Sequence, residues 1–133
     1  MVGKLKKTLF YIIFLKLMSK TFKYSVNEIA LSLIESGAKK IEGRLYKNTF
    51  INLKIGDKII FFKKGKNIMV TVTNLTRYKN FKSMLLKEGI SRVTPLSNSL
   101  ETSLSIYNKF YSKEDELKYG VLAITIEKYN RLL

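Results

Sequence analysis

Eight consecutive residues, Gly37-Ala38-Lys39-Lys40-Ile41-Glu42-Gly43-Arg44, constrain this chain more than any other stretch, because a helix ends and a strand begins inside them. Upstream, Val26, Ile29, Ala30, Leu33 and Ile34 recur at i, i+3, i+4, i+7 and i+8, which is one apolar helical face. Gly37 stands where a left-handed residue closes such a helix. Ser25-Val26-Asn27-Glu28 has capping-box spacing, with Tyr24 and Ile29 placed for a hydrophobic staple, so the pattern predicts a helix beginning at Ser25. From Lys40 onward an extended backbone sends Ile41, Gly43 and Leu45 to a core face. Lys40, Glu42, Arg44 and Tyr46 then share the opposite, charged face, which Lys39 approaches from the helix end.

The rest of the chain supplies a sheet and further helices. Lys58 to Lys63 reads as a strand, Lys64-Gly65-Lys66-Asn67 as a turn, and Ile68 to Thr73 alternates as its hairpin partner. Asn80 is placed to cap a short helix carrying Phe81, Met84 and Leu85, with Gly89 as its stop. Pro95 breaks the chain before a second capping pattern at Asn98 to Glu101. Leu100, Leu104, Tyr107 and Tyr111 then line one helical face. Ser112-Lys113-Glu114-Asp115-Glu116 is the one acidic cluster, expected as a capped turn with a solvated face. Val121 to Ile126 is apolar at consecutive positions, the pattern of a strand buried on both faces and closing a barrel. Hairpins with helices inserted between strands make the fold class α+β, with a small, partly open barrel.

At 133 residues there is room for one domain. With no cysteine and no histidine, disulfides, His/Cys zinc sites and His-dependent triads are excluded. No metal or other cofactor is implied, and a reducing, cytoplasmic location fits. Against 10 acidic residues stand 25 basic ones, a formal charge of +15, so a polyanion is the natural partner. An AT-rich coding sequence would also enrich Lys, Asn, Ile, Tyr and Phe, so charge by itself supports nucleic acid only weakly.

Residues 1–17 hold four lysines and no acid around Leu9-Phe10-Tyr11-Ile12-Ile13-Phe14-Leu15. The uncharged run is far short of the roughly 18 to 20 residues needed to span a membrane, so no transmembrane segment is expected. A signal peptide lacks its small-residue cleavage site here. Met18-Ser19-Lys20 resembles an ordinary protein start, which makes 1–17 an extension dispensable to a domain at 18–133. The other reading is a helix, with Leu5, Leu9, Ile12, Ile13 and Lys16 at helical spacing, that packs on the domain, a partner or a membrane surface.

Gly37, Lys39, Glu42 and Arg44 spell Gly-x-Lys-x-x-Glu-x-Arg, which resembles the signature of the ASCH domains, relatives of the PUA fold. Further matches follow in order at Lys54-Ile55-Gly56-Asp57, Tyr78-Lys79-Asn80-Phe81 and Lys118-Tyr119-Gly120-Val121, so the likeness spans roughly residues 21 to 128. The resemblance implies a PUA-like β-barrel with helices packed around it and a cleft between them.

At the octet, one reading is an ion pair that only fixes helix-strand geometry. The functional reading is recognition of a nucleotide. Arg44, Lys39 and Lys40 neutralise phosphate, Glu42 accepts hydrogen bonds from a base amino or imino group, and Tyr46, Phe50 or Tyr78 offers a stacking surface. Single-stranded or structured RNA with an exposed base is the expected partner, with no preference for DNA.

Some ASCH proteins resembling this chain are amidohydrolases of N4-acylated cytidine that use a lysine, a threonine and a glutamate. Lys39 matches that lysine, but Glu42 occupies the threonine position, and Glu88 lies only in the region of the distal glutamate. Ribonuclease chemistry would assign Lys39 to phosphorane stabilisation and Glu42 to general base, provided burial raises its pKa. A protein-interaction or regulatory role is the third class.

Overall fold

The computed structural model describes residues 2–129. Five strands form one mixed sheet in the order β1-β3-β4-β5-β2. They are β1 (Thr21–Ser25), β2 (Ile41–Leu45), β3 (Lys58–Lys63), β4 (Lys66–Tyr78) and β5 (Val121–Lys128). Only β1 and β3 pair in parallel; the other neighbours are antiparallel. The sheet curls into a half-barrel of α+β class. Its helices are α1 (Val2–Met18), α2 (Glu28–Ser36), α3 (Phe81–Glu88), α4 (Ile90–Val93), α5 (Leu100–Phe110) and α6 (Lys113–Tyr119).

The helix before the octet begins three residues later than the capping box predicts. Ser25 ends β1, and Asn27 is the cap, its side chain accepting the Ala30 N–H at 2.7 Å. With the start displaced, Leu31 and Ile34 become the buried positions, while Ile29 is 63 % exposed and forms no staple. Tyr24 stacks instead on Phe50, ring centroids 4.2 Å apart. Gly37 closes α2 at φ 82° as anticipated.

Strand β1 had no place in the sequence reading. Its backbone pairs with β3 from Thr21 opposite Lys58 to Ser25 opposite Phe62. The β3-β4 hairpin is as expected, but β4 runs to Tyr78, with a register shift between Val72 and Asn74 that lets one strand pair with both β3 and β5. Strand β5 lies inside the sheet, between β4 and β2, rather than closing it. The two edges are β1 and β2.

Both sheet faces are covered. Leu31, Ile34, Ile59, Phe61, Val72, Leu122 and Ile124 fill the inside of the half-barrel. Ile41, Leu45, Phe81, Met84, Leu85, Val121 and Ala123 form the second core under α3 and α5. Consequently β2 has no solvated face: Glu42 and Arg44 point into the half-barrel, not into water. The acidic cluster is also corrected. Ser112 caps α6, but Glu116 is buried, and its Oε1 accepts the Phe81 N–H at 2.8 Å.

Residues 2–18 are helical, and Leu9 to Phe14 are exposed, Phe10 by 78 %. Among the described residues no helix is long and apolar enough to cross a membrane.

Candidate functional site

Between α2, the end of β1, β2, the 93–97 loop and α5 lies a cleft of about 700 Å³. Ile29, Leu33, Leu96, Ile106 and Phe110 are among its apolar walls, and Lys63 and Lys109 also line it. Its charged lining comes largely from the octet. Lys39 and Glu42, each 7 % exposed, sit with Arg44 where α2 hands over to β2.

The local fold explains this convergence. The left-handed turn at Gly37 lets the Lys39 N–H reach back to Leu33 O at 3.0 Å, and this swings the Lys39 side chain inward. Lys39 Nζ donates to the Val93 carbonyl and lies 3.6 Å from Glu42 Oε1. From the other side Arg44 donates Nη2 and Nε to Glu42 Oε2, at 3.0 and 3.2 Å. A second bond from Arg44 Nη2, 3.0 Å to Ser25 O, spans the gap between the two edge strands. The guanidinium also lies 5.3 and 5.8 Å from the Phe50 and Tyr24 ring centroids. Arg44 is thus fixed by a carboxylate, a carbonyl and two rings.

Burial opposes ionisation of Glu42, but Arg44 and Lys39 outweigh it and hold the carboxyl below the usual carboxylate range. Burial also works against the charge of Arg44, and Glu42 more than offsets that, leaving its pKa raised. For Lys39 the balance tips the other way: burial lowers its pKa, opposed but not overcome by Glu42. The result is a desolvated array of two cations sharing one anion. Glu42 is an acceptor throughout the neutral range. The condition for a Glu42 general base, a raised pKa, is therefore not met.

Gly43 is the spacer that makes the packing possible. A Cβ there would sit 2.7 Å from Met84 Cε and 3.0 Å from the Tyr107 hydroxyl. Without a side chain at 43, Tyr107 of α5 lies against β2. Burial first, then the nearby Glu42 charge, push the Tyr107 hydroxyl up; burial likewise raises Tyr111, with Arg44 partly opposing. Both phenols stay protonated donors beside the array.

Of the residues anticipated for a site, Lys39, Glu42 and Arg44 are brought together. Lys40 is exposed and lies outside the cleft, its backbone tied to Arg92 O and to the Ile126 N–H. Tyr46 packs on the inner core, its ring under Arg77, and Phe50 backs Arg44 from behind. Tyr78 donates to Glu88 Oε2, and burial and that contact push its pKa up to about 12. Neither Tyr78 nor Glu88 lines the cleft, so the distal glutamate of the amidohydrolases has no counterpart there at Glu88.

What the sequence reading missed is the opposite wall. Tyr107 and Tyr111 stood out only as a core stripe; their i, i+4 spacing carried the signal, but nothing local showed that their hydroxyls meet β2. Lys63, Lys109, Leu96, Ile106 and Phe110 reach the cleft only through tertiary folding. Among the described residues no carboxylate cluster could hold a metal ion.

A family model described as ASCH domain matches residues 25–130. The crystal structure of hypothetical protein PH0355 shares 43 % identity, over 82 % of this chain and 99 % of that one, with a TM-score of 0.77. A solution structure of protein PF0455 from Pyrococcus furiosus shares 40 % identity, over 83 % of this chain and 98 % of its own, at 0.71. A mutant ZmASCH protein from Zymomonas mobilis shares the fold at a TM-score of 0.56, with 13 % identity over 81 % of this chain and 69 % of that one. No curated protein matches the chain.

Proposed function

Because the chain belongs to the ASCH domain family, within the PUA-like superfamily, we propose that it is an RNA-binding module whose cleft takes one unstacked base or modified nucleotide. The observation that carries this reading is the desolvated Lys39-Glu42-Arg44 array in a cleft with apolar and aromatic walls. About 700 Å³ is within the range of small-ligand sites. The chemistry is complementary. A flat, largely apolar base fits between Ile29 or Leu33 and Phe110 or Tyr111, and Glu42 accepts from an amino or imino edge such as that of cytosine or guanine. Arg44, Lys63 and Lys109 supply positive charge for the attached phosphate.

Nothing at the site favours the hydrolytic reading specifically. Glu42 is held ionised by two cations rather than poised to exchange a proton, and Glu88 lies elsewhere.

The reading is tested by titrating labelled single-stranded RNAs that differ in one base against the parent and Phe110→Ala. Phe110 is 66 % exposed, so its removal leaves the core intact. Loss of a stacking wall lowers affinity on the order of tenfold. Glu42→Gln, checked for folding, is expected to blunt the preference for bases carrying an amino donor. Equal affinity for every RNA in parent and both variants would overturn base recognition in the cleft.

A further inference from the structure

A second basic surface, outside the cleft, is built at one end of the sheet where β2, β5 and β4 lie side by side. Leu45 pairs with Val121, and Val121 with Tyr78, so the residues flanking them, Tyr46 and Lys47, Lys118 to Gly120, and Arg77, meet across three strands. The Tyr46 N–H donates to Gly120 O at 2.9 Å and fixes this register. Gly120 makes the approach possible: it turns α6 into β5 at φ 72°, and a Cβ there would stand 3.2 Å from the Tyr78 carbonyl.

Two cation-ring groups result. Arg77 lies on Tyr46, its Cζ 3.7 Å from the ring centroid, close enough for the guanidinium to stack. Lys47 and Lys118 both reach Tyr119, their Nζ atoms 5.1 and 5.2 Å from its centroid. None of the three cations pairs with a carboxylate among the described residues. Lys64 and Lys66, by contrast, are engaged by Glu28 and Glu35. Ordinary ion pairing does not explain the arrangement.

We propose that this surface holds the sugar-phosphate backbone, and stacks one base, of the same single-stranded RNA whose neighbouring nucleotide enters the cleft. The inference rests on the RNA reading given above and adds a second contact region to it. Arg77 is exposed, so with one face of its guanidinium on Tyr46 the other is open to a base. Lys47 and Lys118, gathered around one ring, are free to meet phosphates. The location supports a shared strand. Arg44, Leu122 and Arg77 are in register across β2, β5 and β4, and Tyr46 lies two residues beyond Arg44 on the same face of β2, about 7 Å away along the strand. A chain leaving the cleft past Arg44 meets this surface next.

The experiment measures anisotropy of a labelled single-stranded RNA of mixed sequence, over salt from roughly 50 to 300 mM, with the full chain. The triple variant Lys47→Ala/Arg77→Ala/Lys118→Ala is expected to bind at least tenfold more weakly at low salt. Its plot of log affinity against log salt should be shallower by about 2, as for three lost phosphate contacts on a single strand. A control that removes equal charge elsewhere, Lys54→Ala/Lys82→Ala/Lys87→Ala, is expected to change affinity less than about threefold, with little change of slope. Arg77→Lys keeps the charge but loses the plane, so it should lose several-fold in affinity with the slope unchanged.

Equal losses in the two triple variants, or none in the first, would overturn the surface while leaving the cleft reading intact. If the surface variants behave as described and Phe110→Ala is inert, the surface stands and base recognition in the cleft fails. Absence of RNA binding by the parent overturns both.

Discussion

At Glu42 one carboxylate answers for two buried cations, and its removal has a direction that can be worked out. Glu42→Gln keeps the shape but leaves Lys39 desolvated with no counter-charge, a change of the kind that costs about 3 to 5 kcal/mol. The pH dependence follows from two lowered pKa values. For Glu42 the folded pKa lies below its ordinary value of 4.5, so in the interval between them the unfolded chain binds more protons. Its contribution is therefore complete above about pH 4.5 and is lost as pH falls through the folded value. Parent and variant should differ most at neutral pH and converge in acid. For Lys39 the folded pKa is also below the ordinary value, 10.5, and without Glu42 it drops further. The variant should thus regain stability as pH rises toward that value, more steeply than the parent. Urea unfolding of both proteins from about pH 3 to pH 9 checks this; parallel curves at all pH values would contradict the charge balance assigned to the site.

Among the elements, α3 is joined to α6 by a bond that no local pattern announced. Its first turn uses two acceptors: Asn80, whose side chain takes the Ser83 N–H at 2.7 Å, and the distant Glu116, which takes that of Phe81. Because Phe81 is buried, removing the second acceptor strands an N–H group. Glu116→Ala is expected to cost about 1 to 3 kcal/mol, and Glu116→Gln, which keeps an acceptor oxygen, distinctly less; thermal melts of the two measure the difference. The same contrast marks how far the sequence could be read. Caps at Asn80, Ser99 and Ser112 and the stop at Gly37 depend on neighbours within a few residues, and each lies where the pattern placed it. Glu116 and Tyr107 depend on residues tens of positions away, so composition and spacing made them a solvated acid and a core ring. The start of α2 failed differently. Ser25 and Glu28 satisfy the capping-box spacing, but pairing of β1 with β3 keeps Ser25 extended, and tertiary hydrogen bonding overrode a local preference.

For the molecule as a whole, the question is where the folded unit begins. The earliest backbone ties of the chain to the sheet come at Lys20, whose N–H donates to Asp57 Oδ1 at 2.9 Å and whose carbonyl accepts the Lys58 N–H at 2.8 Å. The family match starts at residue 25, and the structure of PH0355 is covered almost completely by 82 % of this chain. Ahead of these ties, α1 presents Leu9, Phe10, Ile12 and Leu17 to solvent rather than to either core. Apolar burial, the main favourable term in folding, therefore gains nothing from those side chains in the isolated chain, and their exposure favours self-association. Deleting residues 1–17 is expected to shift unfolding free energy by no more than about 0.5 kcal/mol, as for exposed surface elsewhere, and to raise solubility. Denaturant unfolding and light scattering of the two proteins measure these effects separately. A large loss of stability on deletion would mean that α1 packs on the domain in solution, whereas unchanged stability with weakened RNA binding would assign its lysines to the same polyanion as the rest of the basic surface.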